Sequence, residues 1–531
     1  MLSEGRLVLL NTPTFKKDPA VGGVFFIIEE EETVRSRKLW IIVLFWLGLS
    51  LIGCNSTQAS SATTEPRETD LALPNGGESD FLKQAAKPYQ GTVIRGISEN
   101  TPASTYIKDV LVPVFEEETG IEVEMDVTPY DRMYALTIQD LRQGSGVYDF
   151  IYVEQDFFYD YLAQGFLVNL SEAMRERPEL NLPDFDPIDF TSFINEFRDP
   201  RTRDLYGVPI EAFLKLYLYR KDLFEDPAIQ AAFTAEYNYP LAPAVTVEQY
   251  RDNAEFFTRY GQENGLELWG TTAQAALGHP GSFYEFFETI APTFGIYNWG
   301  INLDNYKATT ANGGQLDSQQ AKVALAYWVD LLPYAPPEST HSAWNEVANT
   351  FAAGRAAQGW VYGENTAWIA TDSSRSKVVG KVGVALPPTA PGVIEDVLMG
   401  QGYLGYYDGG AFGISHTSKN KEATLLWLQY LGRPDIQPEW AATSSRVVHL
   451  STFDDALVQS QDKKLNGYYT LMKEQGQLFA GAPPFPFHIE IRDTIAPYIH
   501  QAITGELTPD QALDQAAIAV DEALVRLGYG Q

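Results

Sequence analysis

The sequence predicts an α/β fold divided into two lobes. Between residues 91 and 153, three short apolar or alternating segments are separated by segments of helical periodicity, an order typical of a parallel sheet flanked by helices. From Tyr89 onward, about 440 residues remain, which is more than one hydrophobic core normally serves. We therefore expect two lobes, each built from strands and helices.

Hydrophobic spacing defines the first elements. The run GTVIRGIS, residues 91–98, is rich in β-branched side chains and favours a buried strand. Apolar residues then recur at helical spacing from Ile107 to Phe115, and Gly120 is expected to end that helix. The next expected elements are a strand over 121–127, a helix over 130–143, a strand over 148–153 and a helix over the following DFFYDYLAQGFLVNL.

Longer helices dominate the rest of the chain. A helical region is expected from Val247 to beyond Leu332. The later expected elements are strands at 357–363 and 380–388, a glycine-rich segment at 400–415, and amphipathic helices at about 419–431, 489–503 and 508–527.

A lipoprotein signal is predicted near the N-terminus. Cys54 is the single cysteine of the chain, so neither a disulfide framework nor a cysteine-based zinc site can be built. It follows a basic segment and fifteen uncharged residues ending in Leu-Ile-Gly. Such a run spans roughly 22 Å as a helix, which is short for a bilayer core. The motif resembles a bacterial lipobox, in which Cys54 carries a lipid; an uncleaved signal anchor is the alternative.

Residues 1–53 are expected to contain a misannotated start followed by the signal peptide. Four consecutive glutamates, residues 29–32, would stand just before the apolar run, which no secretory signal tolerates. Translation from Val34 would leave a signal of ordinary length. Residues 54–88 are rich in Ser, Thr, Pro and Gly without sustained periodicity and are expected to form a disordered linker.

The charge and aromatic content of the chain indicate which classes of partner it can bind. The net charge of −32 would repel phosphate backbones, so we expect the protein not to bind nucleic acid. The first 53 residues hold six basic and six acidic side chains, so the remainder carries all of this charge. Aromatic residues make up 13% of the chain and offer rings that can stack on sugars, although a large core would need them too.

Several segments resemble one family in order along the chain. The segment GTVIRGISENTPASTYIKDVLVPVFEEETGIEVEMD resembles the start of extracellular solute-binding proteins of ABC importers. DLYGVPIEAFLKLYLYRKDLF, TFAAGRAAQGWVYGENTAWI and GGAFGISHTSKNKEATLLWLQYL are similar to later segments of the same proteins. Together with two further segments, the resemblance covers about residues 91–527. It is strongest to the carbohydrate-binding, maltose-binding-protein-like group, family 1.

The resemblance implies a type II periplasmic-binding-protein fold, with a hinge and a ligand cleft between the lobes. It implies that the first lobe comprises 89–208 and 411–443 and the second 209–410 and 444–531. The glycines at 409 and 410 would absorb the rotation of closure. The implied function is capture of an oligosaccharide or polyol and its delivery to ABC permease subunits in the bacterial cell envelope, without a cofactor.

Ligand contacts are expected where strands of the first lobe end. Ligands of open sheets bind beyond the carboxyl ends of parallel strands, which points to Glu99 and Asn100 after the first strand and to Glu154 and Asp156 after the third. Carboxylates accept hydrogen bonds from sugar hydroxyls. The alternative for Asp156 is a helix N-cap.

The second lobe is expected to contribute aromatic and polar contacts. Tyr284, Trp360 and Tyr362 are the candidate stacking rings, each with core packing as the alternative. Glu364 follows the strand expected at 357–363, and its carboxylate can accept hydrogen bonds from sugar hydroxyls. Arg446 resembles a polar contact of the family, with a surface ion pair as its alternative.

Other functions find less support in the sequence. The six histidines lack metal-ligand spacing, and no nucleophile elbow, phosphate loop or dinucleotide fingerprint occurs. Adjacent tyrosines at 406–407 and 468–469 leave ferric-ion or other small-solute binding as an alternative. A carbohydrate-active enzyme would need two carboxylates about 5–9.5 Å apart, which seventy acidic residues do not exclude.

Overall fold

The computed structural model describes residues 79–278 and 281–530. The predicted signal, Cys54 and residues 54–78 of the predicted linker lie outside the described residues. The last residues of that linker, 79–88, are described, and the prediction of disorder is wrong for them: Ser79–Ala86 form a helix that buries Leu82 and Ala86, and a short 3-10 turn follows. The strands are β1 Val93–Glu99, β2 Glu122–Thr128, β3 Phe150–Glu154, β4 Gly207–Arg220, β5 Gln358–Tyr362, β6 Val382–Ala385 and β7 Tyr407–Ile414.

Helices connect and cover these strands. Those before β5 are α1 Ser79–Ala86, α2 Pro102–Tyr106, α3 Val112–Thr119, α4 Tyr130–Gln143, α5 Gln155–Ala163, α6 Leu170–Glu176, α7 Lys221–Phe224, α8 Pro227–Tyr237, α9 Val247–Glu263, α10 Gly281–Glu285, α11 Ala291–Thr293, α12 Gln319–Leu331 and α13 Trp344–Ala352. Those after it are α14 Thr366–Thr371, α15 Val393–Leu398, α16 Lys421–Leu431, α17 Pro438–Ser444, α18 Ala456–Asp462, α19 Tyr468–Gln475, α20 His488–Ile503 and α21 Pro509–Arg526. Single π-helical turns, Ile107–Leu111 and Phe286–Ile290, join α2 to α3 and α10 to α11.

The described strands form one path in the order β2-β1-β3-β7-β4-β5, with β6 also paired to β4. Among the pairs of these described strands, only β1–β2 and β1–β3 are parallel. The parallel arrangement expected for the first three strands is therefore correct. Beyond them, β7 runs antiparallel to both β3 and β4, so the chain returns along it from the later half.

Strand β4 connects two parts of the sheet. Its first half, residues 207–214, pairs with β7, and residues 215–220 pair with β5 and β6. A β-bulge interrupts the β4–β7 pairing between Pro209 and Glu211. Across from it, a Cβ at Gly410 would lie 2.2 Å from the ring of Tyr152, so only glycine fits this close approach.

Separate apolar cores lie on the two parts of the sheet. The larger one surrounds β1, β3 and β7 and includes Phe150 and Trp427. Another surrounds Tyr217 and Trp360 and includes the apolar faces of α12, α20 and α21. Burial of these faces is the main force that holds the helices on the strands.

The early elements match their expected bounds closely, with one exception. Helix α4 begins and ends at the predicted residues, and α3 ends at Gly120, whose φ is 70°. The helix after β3 was expected to continue to Leu170 but ends at Ala163. Gly165, with φ of 69°, turns the chain there, and Leu167 then forms a bridge to Ser415.

Candidate functional site

Carboxylates of β1 and β3 mark one side of the candidate site. Glu99 is the last residue of β1 and Glu154 the last of β3, and the two strands are parallel neighbours. Tyr130 donates a hydrogen bond of 2.8 Å to Oε2 of Glu154. Burial, and then the charges of Asp156 and Asp408, raise the pKa of Glu154 well above its usual value. These carboxylates therefore share one poorly solvated region.

Asp156 lies in the first turn of α5 and faces α20. Its Oδ2 is 3.3 Å from Nε2 of His488, and the side chain is 7% exposed. Burial alone would raise the pKa of Asp156, but the neighbouring His488 reverses the effect and lowers it. The N-cap alternative for Asp156 is wrong, because α5 begins one residue earlier, at Gln155.

A buried ion-pair group surrounds Arg446. We call Arg446, Glu211, Glu364 and Tyr152 the Arg446 group. Nε of Arg446 lies 2.7 Å from Oε2 of Glu211, and the guanidinium also pairs with Glu364. Tyr152 donates a hydrogen bond of 2.7 Å to the other oxygen of Glu211. Arg446 is 4% exposed, so its ion pairs are internal rather than on the surface.

Glu99 stands beside the Arg446 group. Burial raises the pKa of Glu99 to about 8, and the charges of Glu211 and Glu364 add to the rise. Asn100, the next residue, is exposed, and its backbone N–H bonds to the carbonyl of Thr128 at 2.9 Å. Glu99 is therefore half-buried beside the Arg446 group, and Asn100 is exposed.

A second buried ion-pair group surrounds Lys215. We call Lys215, Glu285, Glu288 and Tyr362 the Lys215 group. Nζ of Lys215 lies 2.8 Å from Oε2 of Glu285 and 3.3 Å from Oε2 of Glu288. The hydroxyl of Tyr362 donates to Glu288 and accepts from Lys215. Burial raises the pKa of Glu288 to about 8 despite the nearby ammonium.

Asp408 links β7 to the first residue of α5 through a hydrogen bond. It lies in β7, and its Oδ1 accepts a hydrogen bond of 2.9 Å from Nε2 of Gln155. The other end of the Gln155 amide accepts a hydrogen bond of 2.8 Å from the backbone N–H of Ala482. Burial, and then the charge of Asp156, raise the pKa of Asp408 to about 7.

The candidate rings differ in their surroundings. Tyr284 is 9% exposed, and its hydroxyl accepts a hydrogen bond of 3.1 Å from Arg492. Trp360 is 1% exposed and stacks on Tyr250 with ring centroids 4.1 Å apart. This packing favours the core alternative for Trp360, whose ligand contact stays a prediction. Tyr284 and Tyr362 instead place their hydroxyls in polar networks.

The paired tyrosines use their hydroxyls in different ways. Tyr406 accepts a hydrogen bond of 3.0 Å from Nε1 of Trp299. Tyr468 and Tyr469 donate to the carbonyls of Ser445 and Ala441. Within residues 79–278 and 281–530, no group of three or more His, Cys, Asp or Glu side chains is arranged to hold a metal ion.

Sequence reasoning missed several charged residues of the site. Glu211 and Lys215 lie four residues apart in β4, and alternation along a strand places them on the same face. That spacing within an otherwise apolar run was an available signal. Glu288 and Asp408 gave no such signal, because their partners come from distant parts of the chain.

Comparison with known proteins establishes the family. The profile described as bacterial extracellular solute-binding protein matches residues 98–438, which is more than half of the chain. The chain belongs to this family of bacterial extracellular solute-binding proteins. The match confirms the family that the sequence resembles.

Individual relatives of this solute-binding protein span most of its length. A probable amino-acid ABC transporter periplasmic-binding protein of Sinorhizobium fredii is 23% identical over 86% of this chain and 97% of its own. A mannitol-binding protein of Pseudomonas aeruginosa is 24% identical over 61% of this chain and 70% of its own. The ribitol complex of an ABC transporter solute-binding protein from Agrobacterium radiobacter K84 superposes with a TM-score of 0.63, at 20% identity, over 82% of this chain and 99% of that one. The solute-binding protein thus has the expected α/β, two-lobed fold.

Proposed function

We propose that this protein captures a sugar or polyol in a cleft between its lobes and delivers it to the permease of an ABC importer. The lobes would comprise 89–208 with 411–443 and 209–410 with 444–531. The observation that carries the proposal is the 3.3 Å contact between Asp156 and His488. This contact would bring one carboxylate of the proposed first lobe against a side chain of the proposed second lobe.

The residue types at this contact suit a polyhydroxylated solute. Carboxylates such as Glu154 and Asp156 accept hydrogen bonds from hydroxyls, and charged acceptors form the stronger bonds. The Tyr284 ring offers apolar area for the C–H face of a sugar. The mannitol and ribitol named for two relatives are solutes of this kind.

Titration calorimetry tests the proposal. The purified protein should bind at least one member of a panel of polyols, monosaccharides and oligosaccharides that includes ribitol, mannitol and maltose. Asp156→Asn should weaken that binding at least tenfold, because the carboxylate loses its charge. Asp126→Asn, an exposed position on β2, should leave it unchanged. Failure of the whole panel to bind would contradict the proposal.

The alternatives predict different outcomes with the same protein. A carbohydrate-active enzyme would convert the bound compound, so we expect the ligand to be recovered intact after prolonged incubation. Chromatographic detection of a cleaved or rearranged product would favour the enzyme. A ferric-ion-binding protein would give a tyrosinate–iron absorption band on titration with ferric ion, and we expect none.

The lipid on Cys54 is also a proposal. No helix among residues 79–278 and 281–530 is long and apolar enough to span a membrane. We infer that a lipidated Cys54 holds the protein on the periplasmic or outer face of the cytoplasmic membrane. Cys54→Ser should release the protein into the soluble fraction of cells, with its ligand affinity intact. Continued sedimentation of the variant with membranes would favour an uncleaved signal anchor.

A further inference from the structure

A short turn of left-handed backbone carries Trp299. Asn298, Trp299 and Gly300 have φ of 50°, 56° and 72° in succession. The N–H of Gly300 closes the turn onto the carbonyl of Tyr297 at 2.9 Å. Left-handed backbone is costly for residues other than glycine, and most of all for bulky ones. Contacts elsewhere must therefore hold Trp299 in this conformation, and residues held in this way cluster at functional sites.

Two tyrosines hold the turn in place. The hydroxyl of Tyr403 accepts a hydrogen bond of 2.9 Å from the backbone N–H of Asn298. The hydroxyl of Tyr406 accepts one of 3.0 Å from Nε1 of Trp299. Both tyrosines come from the glycine-rich segment just before β7. One segment therefore fixes both the backbone of the turn and the ring that the turn carries.

The ring of Trp299 packs on His488, the first residue of α20. The two ring centroids are 4.2 Å apart, and the ring planes are inclined by 74°. Phe283 and Phe485 also contact the indole, with centroids 4.8 Å and 5.2 Å away. Each of these pairs is T-shaped, an arrangement that the charge distribution of aromatic rings favours. Trp299 and His488 are each 1% exposed, so both rings are enclosed.

One nitrogen of His488 faces the candidate site, and the other has no hydrogen bond to orient it. Nε2 lies 3.3 Å from Oδ2 of Asp156. The buried Nδ1 has no hydrogen-bond partner within residues 79–278 and 281–530. The state and orientation of a histidine are commonly set by a hydrogen bond at its other ring nitrogen. Here the orientation depends on packing, and the indole of Trp299 packs directly on the imidazole.

We propose that Trp299 is a positioning residue of the candidate site: the left-handed turn presents its indole to His488, and the indole holds the imidazole towards Asp156. The inference rests on the proposed function, in which the contact between Asp156 and His488 joins the two lobes around the solute. Trp299 acts through His488 rather than on the solute. Loss of the indole lets the imidazole rotate, which weakens both its contact with Asp156 and the affinity for the solute.

Filling of the core does not by itself require the costly backbone. Trp328 belongs to the same apolar core as Trp299 and is also 1% exposed. It lies in the ordinary right-handed helix α12. An indole can thus be buried in this core from regular backbone. The left-handed turn additionally sets the direction in which the ring of Trp299 points.

Matched tryptophan variants test the inference. Trp299→Leu and Trp328→Leu each remove one buried indole from the same core, so both should lower the melting temperature. Titration calorimetry would then measure the affinity for whichever of ribitol, mannitol and maltose the wild type binds. We expect Trp299→Leu to bind at least fivefold more weakly and Trp328→Leu to stay within twofold of the wild type. Equal losses in the two variants, or no loss in Trp299→Leu, would overturn the positioning role.

A double-variant cycle determines whether Trp299 acts through His488. His488→Gln should weaken binding, and Trp299→Leu should then add less than a twofold further loss, because the group that it positions is already gone. Losses that multiply would overturn the inference. Tyr406→Phe removes only the hydroxyl that accepts from Nε1 of Trp299 and should weaken binding about threefold. If Trp299→Leu does not fold, Tyr406→Phe takes its place in the same cycle.

A measurement without ligand separates this inference from the proposed function. The six histidines of the chain can be labelled with nitrogen-15, and the ring signals of His488 are identified by their loss in His488→Gln. Asp156→Asn should move the Nε2 resonance, and Trp299→Leu should move it in the same direction and at least half as far. Trp328→Leu should leave it in place. These shifts without binding of any panel compound would overturn only the proposed function, whereas an unmoved resonance in Trp299→Leu would overturn only the positioning role.

Discussion

The Arg446 group and the Lys215 group use the same components in different places. Each surrounds a buried cation with two carboxylates and a tyrosine. The Arg446 group lies where β4 pairs with β7, and its tyrosine comes from β3 of the proposed first lobe. The Lys215 group draws all its members from β4, β5 and the α10 region, within the proposed second lobe.

The difference in position predicts a difference in role. Contacts that cross a hinge change when lobes move, whereas contacts inside one lobe move as a rigid unit. We therefore expect the Lys215 group to contribute mainly to the stability of its lobe. The Arg446 group should additionally influence the equilibrium between open and closed states, because Tyr152 comes from the proposed first lobe and the other members come from the second.

The largest effect is expected from Lys215→Met. The substitution keeps much of the side-chain volume but leaves Glu285 and Glu288 buried without their cation. Breaking a buried ion pair in this way costs about 3–5 kcal/mol, which denaturant unfolding would measure. Lys473→Met removes an exposed pair with Asp454, 2.5 Å long, and should cost less than about 1 kcal/mol. Equal losses in the two variants would contradict the structural role of the Lys215 group.

Trp360→Ala tests whether Trp360 is a core residue. Trp360 lies in β5, two residues before Tyr362 of the Lys215 group. Removing a buried tryptophan costs about 3–5 kcal/mol through lost burial and the cavity left behind. Trp360 stacks on Tyr250, so we expect a fall in melting temperature with little change in affinity for a panel ligand. Weaker binding by roughly 1–3 kcal/mol with unchanged melting temperature would instead make Trp360 a ligand contact.

Arg446→Lys is expected to have a smaller effect on stability and a larger one on binding. Lysine keeps the charge but not the planar fork that reaches Glu211 and Glu364 together. The lost charged hydrogen bonds are worth about 1.5–3 kcal/mol. Because the group joins side chains of the two proposed lobes, ligand affinity should change as well. Unfolding and calorimetry on the same sample measure both, and an unchanged affinity would place the group outside the hinge.

The two tyrosines allow a matched comparison. Tyr152→Phe and Tyr362→Phe each remove one hydroxyl that donates to a buried glutamate, at a cost of about 1–2 kcal/mol. Only Tyr152→Phe should change the radius of gyration of the unliganded protein, measured by small-angle X-ray scattering. An equal change in both variants, or in neither, would remove the distinction between the groups.

The sequence predicted the elements of the first lobe well, because their signals are local. Periodicity and the stop at Gly120 define α3 and α4, and β-branched runs define β1 to β3. The direction of β7 could not be predicted in this way. It depends on how the chain returns from its later half, which no short segment encodes.

The candidate site was predicted in part for the same reason. Glu99, Glu154 and Asp156 follow strands, so a rule about strand ends found them. Trp360 illustrates the limit, since its packing on Tyr250 depends on a helix more than 100 residues earlier in the chain. Lys215 and Glu288 likewise meet only in the folded protein. Ion pairs between distant residues leave no periodic signal in a single sequence.

The smallest expected effect concerns the pH dependence of stability near the Arg446 group. Burial raises the pKa of Glu99 from 4.5 to about 8, so the folded protein holds this proton more tightly than the unfolded chain. The side chain also faces the charges of Glu211, Glu364, Asp408 and Arg446. Its contribution to stability is therefore complete below pH 4.5 and is lost as the pH rises through about 8.

Glu99→Gln removes this titration and should make the protein less sensitive to alkaline pH. The variant should gain stability relative to the wild type between pH 5 and pH 8, on the order of 1 kcal/mol, because Glu99 retains some contact with solvent. Denaturant unfolding at several pH values would measure the difference, with Glu122→Gln on the exposed face of β2 as the control. A pH profile identical in wild type and Glu99→Gln would mean that Glu99 stays ionised beside Arg446. In that case Arg446, like Lys215, would be surrounded by ionised carboxylates. The two groups would then differ only in where they lie in the fold.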